Sequence, residues 1–216
     1  MATLLHLDAS AAVEGSRSRA LTAALARAFR EAAPGNTVVH RDLHAEPLPH
    51  LPHPGLHWAA PVRTGAAPDA ASAALQDRLT AELLGADALV VGFPLYNYSL
   101  PSSLKAWIDH VHVPGLTAPS AVSGTPLAGR AAVVVATRGG DYGPGAPNEG
   151  RDLATPVLEL VLGEEMGMAV TSVAVNLTLA GSDRPEQARR SEREYAEALA
   201  ALRALGGRLG RCREKH

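Results

Sequence analysis

Three short stretches carry residue types that could hold a ligand. The first is Leu95-Tyr96-Asn97-Tyr98, directly after Pro94: two aromatic rings with polar tips and an amide between them. Such a group can pack on a planar molecule and hydrogen-bond its rim. The competing reading is an ordinary turn whose tyrosines fill core. The second stretch is Ser10 with Ser16, Arg17 and Ser18. Hydroxyls beside a helix N-terminus, where the first N–H groups are unpaired and the helix dipole is positive, fit a phosphate monoester. On local grounds the commoner reading is that Ser16 only caps the helix. No G-x-G-x-x-G or G-x-x-x-x-G-K-[ST] is present, so neither a dinucleotide fingerprint nor a P-loop is written here. The third stretch is Thr137-Arg138-Gly139-Gly140. Its glycines let backbone approach a ligand closely, although a bare R-G-G is more often a turn.

The elements around these stretches place all three at the same kind of position, just after a strand. Thr3 to Leu7 reads as a first strand, with a loop from Asp8 to Gly15. A helix follows from about Ser16 to Ala33, with Leu21, Ala24, Leu25, Ala28 and Phe29 on one face, and Pro34-Gly35 stops it. Thr37 to Asp42 is a second strand, so the opening reads as a right-handed βαβ unit. Asp69 caps a helix to about Leu84. Ala88 to Val91 is apolar without alternation, as expected of a strand covered on both faces, and Pro94 ends it. Pro101 suits the first turn of a helix carrying Leu104, Trp107, Ile108 and Val111. Arg130 to Thr137 is a fourth strand. A helix from about Arg151 to Leu162, a strand from Ala169 to Val175 and a last helix from near Asp183 to Leu209 complete the chain. Strands alternating with helices predict an α/β doubly wound sheet of five parallel strands. In such a sheet ligands bind beyond the carboxyl ends of the strands.

The chain has 216 residues, which at about 150 per domain suggests a single domain, 1–216, with an irregular proline- and histidine-rich excursion at about 45–68. A net charge of −2 offers no electrostatic case for nucleic acid or an anionic membrane. No apolar run is long enough to span a bilayer, and no basic-then-apolar leader opens the chain. Cys212 is the sole cysteine, which precludes an internal disulfide and suits the cytoplasm.

Other constellations fail. His44, His50, His53 and His57 lie in the proline-rich excursion without helical i, i+4 spacing or cysteine partners, so no metal site is assigned. His6, Asp8 and Ser10 lack a G-x-S-x-G elbow and an oxyanion partner for hydrolysis. His6 and His40 read as core or edge residues, Glu164-Glu165 as a solvated helix end, and Cys212 as a bystander.

Pro94, Tyr96, Asn97, Pro101, Leu104, Lys105, Trp107 and Asp109 form P-x-Y-N-x-x-x-P-x-x-L-K-x-W-x-D. This pattern resembles the signature of the FMN-dependent NADH:quinone oxidoreductases, or azoreductases. The resemblance implies a flavodoxin-like fold with strand order 2-1-3-4-5. It also implies FMN as a tightly bound, non-covalent cofactor. Ser10, Ser16, Arg17 and Ser18 would hold the phosphate. Pro94, Leu95, Tyr96, Asn97 and Tyr98 would clasp the ring, and Thr137, Arg138, Gly139 and Gly140 would cover its pyrimidine side. NADH or NADPH would be the donor, a quinone or azo compound the acceptor, and the assembly a homodimer. The chemistry would sit on the flavin, with no catalytic side chain, in a ping-pong cycle. The resemblance weakens where the acceptor would bind. Val113 to Ala118 lacks the family's R-A-G-x-T-F pattern, and Leu162 to Gly167 departs from its L-G-F-x-G run. Trp58 and Tyr142 are the candidate substrate-pocket residues. Alternative readings are an electron-transfer protein of the same fold, for which −2 is a weak steering charge, and a tailoring reductase acting on one quinone-like metabolite.

Overall fold

The computed structural model describes residues 1–120 and 124–211. Cys212, and the end of the 113–123 segment, lie outside the described residues. Five strands, β1 (Thr3–Asp8), β2 (Thr37–Asp42), β3 (Ala88–Pro94), β4 (Ala131–Thr137) and β5 (Ala169–Val175), form one sheet in the order β2-β1-β3-β4-β5. Every pairing is parallel. The predicted fold and strand order are therefore observed.

The central strands are buried on both faces, and alternate residues feed two apolar layers. On one side Leu4, Val90, Val133 and Val135 pack with Leu21, Leu25 and Phe29 of α1 (Arg17–Glu31) and Leu202 of α5 (Pro185–Arg211). On the other, Leu5, Leu7, Val91, Phe93 and Val134 meet three helices, α2 (Ala70–Gly85), α3 (Ser102–Val111) and α4 (Thr155–Leu158). Each layer is supplied by one parity of the strand residues, because successive side chains point to opposite faces.

Helices α1 and α5 pack unusually closely. A Cβ added at Gly206 would lie 2.3 Å from the Leu25 carbonyl oxygen, and one at Gly210 would lie 2.4 Å from that of Phe29. Only glycine admits this approach. Asn36 seals the same corner, its amide donating to the Phe29 and Gly210 carbonyls at 2.9 and 2.8 Å.

Two local expectations need correcting. The helix expected from Arg151 begins only at Thr155, because Asp152 accepts from the Ala154 and Thr155 N–H groups and so sets the first turn. From Glu159 to Glu165 it widens to π geometry, with the Met166 N–H reaching back to the Val161 carbonyl. Pro101 also stands at the N-cap of α3, one place before its first turn.

The excursion at 45–68 holds two short 3₁₀ turns, Pro54–His57 and Ala60–Val62. Its first residues bond back to Asp42, and the rest is tied to α2 and α3. The buried Gln76 amide donates to the carbonyls of Leu56 (2.6 Å) and His110 (3.1 Å), and Arg63 reaches the Gln76 oxygen at 2.8 Å. Leu56 is fully buried.

Candidate functional site

The loops after β1, β3 and β4 all leave the carboxyl edge of the sheet, and the first two touch. The Ala11 N–H donates to the Tyr96 hydroxyl at 3.2 Å. The third joins them through β3 and β4: the Leu95 N–H donates to the Thr137 carbonyl at 2.8 Å, and Pro94 pairs with Thr137 in register.

In the first loop, Ser10 and Ser18 are buried and Ser16 is the N-cap of α1. The Ser16 and Ser18 hydroxyls lie 3.2 Å apart, and the Arg19 N–H donates to Ser16 Oγ at 3.4 Å. The cap reading of Ser16 is therefore observed. The N–H groups of Arg17 and Ser18 open the helix, where no intrahelical acceptor is available to them. The Arg17 guanidinium turns away from this cradle. It pairs with Glu192 and lies over the Tyr195 ring at 5.1 Å, both on α5.

Arg19, which by helical periodicity reads as part of the solvated face of α1, is instead largely buried and holds the loop in shape. It donates to the Ser10 carbonyl at 2.7 Å and the Ala12 carbonyl at 3.1 Å, while gripping Asp42 at the end of β2 with two bonds of 2.6 and 2.9 Å. The hydrogen bond from Arg19 keeps the Asp42 carboxyl down at about 2. The available signal was an arginine one turn into α1 with an aspartate closing β2, but only the fold shows that they meet.

The second loop turns back on itself. Tyr96 and Ser99 exchange two backbone hydrogen bonds of 3.2 and 2.9 Å, and between them Asn97 and Tyr98 both take positive φ, 48° and 68°. That is the geometry of a tight type I′ turn. Asn tolerates it, whereas a tyrosine there is strained. Tyr98 is half-exposed, and Tyr96 is 39% exposed. Neither ring fills core, which removes the competing reading. The Leu153 N–H holds the Tyr98 carbonyl at 2.9 Å, linking this turn to the segment ahead of α4.

In the third loop the carbonyls of Arg138, Gly139 and Gly140 accept from Thr178, Leu179 and Leu177 at 3.0, 3.4 and 2.9 Å. Among the described residues no protein acceptor meets the Gly139 and Gly140 N–H groups. Arg138 pairs with Asp152 at 2.5 Å with both side chains largely buried, and lies 5.9 Å from the Tyr142 ring centre. Burial, helped by nearby Tyr98 and Asp152, pushes the Tyr142 phenol up. Asp141 is braced from α5 by Arg190 at 2.5 Å. Trp58 is exposed on the excursion, and among the described residues no ring contact joins it to Tyr96, Tyr98 or Tyr142.

A doubly wound parallel sheet whose edge gathers a hydroxyl-rich helix N-terminus, a strained aromatic turn and a glycine loop defines a flavodoxin-like protein. Comparisons with known proteins bear this out. A family model described as flavodoxin-like fold matches residues 2–201. A relative from Kineococcus radiotolerans named FMN-dependent NADH:quinone oxidoreductase is 52% identical, covering 97% of this chain and 100% of that one. One of the same name from Streptomyces coelicolor is 40% identical, covering 97% of each. Among solved structures, an azoreductase from Bacillus anthracis superposes with a TM-score of 0.80 at 24% identity, covering 96% of this chain and 100% of that one. An FMN-dependent NADH-azoreductase from Bacillus anthracis, solved in complex with FMN, gives 0.76 at 17%, covering 94% and 99%. The chain belongs to the FMN-dependent NADH:quinone oxidoreductase family of flavodoxin-like enzymes.

Proposed function

We propose that the chain binds one FMN across the three loops and uses NADH or NADPH to reduce quinone or azo acceptors. The observation that carries this reading is the set of free backbone donors on the loops among the described residues: the Arg17 and Ser18 N–H groups that open α1, beside three serine hydroxyls, and the Gly139 and Gly140 N–H groups around the edge from them. That donor set suits a phosphate at one end and an electron-poor ring edge at the other.

In this reading Ser10, Ser16 and Ser18 hydrogen-bond the phosphate, aided by the positive end of α1. Arg17 contributes backbone only. Pro94 and Leu95 bring the chain up beside the ring, Tyr96 to Tyr98 pack on it, and Asn97 bonds its polar rim. Thr137 ends the strand from which the Arg138–Gly140 loop wraps the pyrimidine side. Bound there, FMN supplies the redox chemistry, taking hydride from the nicotinamide and returning two electrons to the acceptor. The Gly139 and Gly140 N–H groups face the edge on which reduction places negative charge, an electrostatic role needing no reorganisation. Donor and acceptor would take turns at the ring, a ping-pong pattern, with Tyr142 a candidate for substrate contact. No side chain is required to move a proton. A homodimer remains the family-based expectation, and Trp58 is a candidate for acceptor contact from the excursion. Among the described residues, no helix is long and apolar enough to cross a membrane.

The test is the visible spectrum of the purified protein, then anaerobic titration with NADH. A yellow protein carrying one FMN per chain and bleached by one equivalent of NADH is expected. Protein that stays colourless after incubation with excess FMN overturns the reading.

A further inference from the structure

The register of β1 against β2 sets His6 opposite His40, and Asp8 two residues along on the same face. Their side chains converge on one point. His6 Nε2 lies 3.2 Å and His40 Nε2 3.0 Å from the same oxygen, Asp8 Oδ2, and the three atoms fall within 4.8 Å of one another. We propose that His6, Asp8 and His40 form a binding site for a divalent transition-metal ion of the zinc class.

The geometry suits that ion. With ligand bonds of about 2.0–2.1 Å, neighbouring ligand atoms of a tetrahedral zinc site stand about 3.3 Å apart. Two imidazoles and a carboxylate favour zinc, cobalt or nickel over magnesium or calcium, which take all-oxygen sets. The second observation is an orphan. The His6 side chain is 7% exposed, yet its Nε2 makes no hydrogen bond of accepted geometry; its one close polar neighbour among the described residues is the same Asp8 oxygen at 3.2 Å. A buried ring nitrogen without a partner is costly, and a metal at this point would satisfy it. The His40 side chain is half-exposed, which opens a path for the ion and room for a water as fourth ligand.

The surroundings are built to hold the carboxylate. Thr22 donates to Asp8 Oδ1 at 2.8 Å, leaving Oδ2 for the cluster. Among the described residues Arg19 is the cation that pairs nearest, 3.9 Å from Oδ2, and its charge is matched by Asp42 at 2.6 Å. With neutral imidazoles, the two aspartates exceed the one arginine by a single negative charge, which a divalent ion would offset. Asp8 lies two residues before Ser10, so the ion would pin β1 to β2 just beneath the phosphate loop.

The experiment uses untagged, FMN-loaded protein stripped with chelator and titrated with ZnSO₄ by calorimetry, with Co²⁺ as spectroscopic probe. One Zn²⁺ per chain is expected, with Co²⁺ giving the visible bands of a four-coordinate site. Outer-shell partners of metal ligands are commonly worth about 10–100-fold in affinity, so loss of a direct ligand should cost at least about 100-fold. His40→Asn, at the half-exposed position, tests this without disturbing the core. His6→Asn tests the buried ligand, and retained FMN absorbance reports that it has folded. His44→Asn with His57→Asn should leave the site intact. No binding by wild type, or one-site binding that survives His40→Asn, overturns the proposal and leaves the cluster a His–Asp ion pair.

Discussion

Replacing Arg19 by methionine removes four hydrogen bonds at once while keeping the aliphatic stem. Two of them, to the Ser10 and Ala12 carbonyls, shape the loop, and two neutralise Asp42. Breaking one partner of a buried ion pair costs about 3–5 kcal/mol. The Arg19 and Asp42 side chains are 13% and 20% exposed, so water relieves part of this and about 2–3 kcal/mol is expected. For a chain of this size that is about 5–10 °C in Tm. The loop effect is separate. If the released loop frees the backbone of even one residue, FMN must reorder it at about 1–2 kcal/mol, or about 5–30-fold in Kd. Combining Arg19→Met with Asp42→Asn separates the two, because it removes the unpaired carboxylate without restoring the loop tether. Thermal melts of the apoprotein and fluorescence titration with FMN are the assays. The double variant should recover part of the lost Tm but none of the lost FMN affinity. Wild-type FMN affinity in Arg19→Met, or recovery of both quantities together, would refute the clamp.

Ser16→Ala with Ser18→Ala should weaken FMN by roughly 1.5–3 kcal/mol per lost charge-assisted bond and riboflavin far less. Equal losses measured by fluorescence quenching would remove these serines from the phosphate site. Gly206→Ala should destabilise by at least about 1–3 kcal/mol, since its Cβ would press on the Leu25 carbonyl at 2.3 Å; an unchanged urea midpoint would contradict the close α1–α5 packing. Burial tends to raise the Asp152 carboxyl, but N–H and hydroxyl donors from Thr155, the Ala154 N–H and the Arg138 charge together lower it. Its folded value lies below its unfolded one, near about 3.9. Its stabilising contribution is therefore complete above that value and fades as pH falls through the folded one. Asp152→Asn should flatten the acid limb of the stability curve, and an identical acid limb in both proteins would count against the buried Arg138–Asp152 pair.

The alternation of elements was legible in the sequence, because helix and strand periods are local properties. The apolar runs at Ala88–Val91 and Ala131–Val135 announced doubly covered strands, and those strands pair as expected. The three loops were legible for the same reason: Ser16 at a helix start, Tyr96–Tyr98 after Pro94 and the glycines after Thr137 are chain neighbours of their strands. Strand order was not in the periodicity; it came with the family resemblance, and the sheet bears it out. What the tertiary structure alone decided are meetings across the chain. Arg19 finds Asp42, Arg138 finds Asp152 and Arg190 finds Asp141 through spatial neighbourhood, which sequence spacing does not encode. The turn of Arg17 toward Glu192 depends on where α5 packs, and that in turn on two glycines. His6 and His40 read singly as core or edge residues, because each has only an aspartate two residues on, Asp8 or Asp42, and they lie 34 residues apart in the sequence. Parallel register sets them face to face, and a slip of one residue would have sent one ring to the opposite side of the sheet.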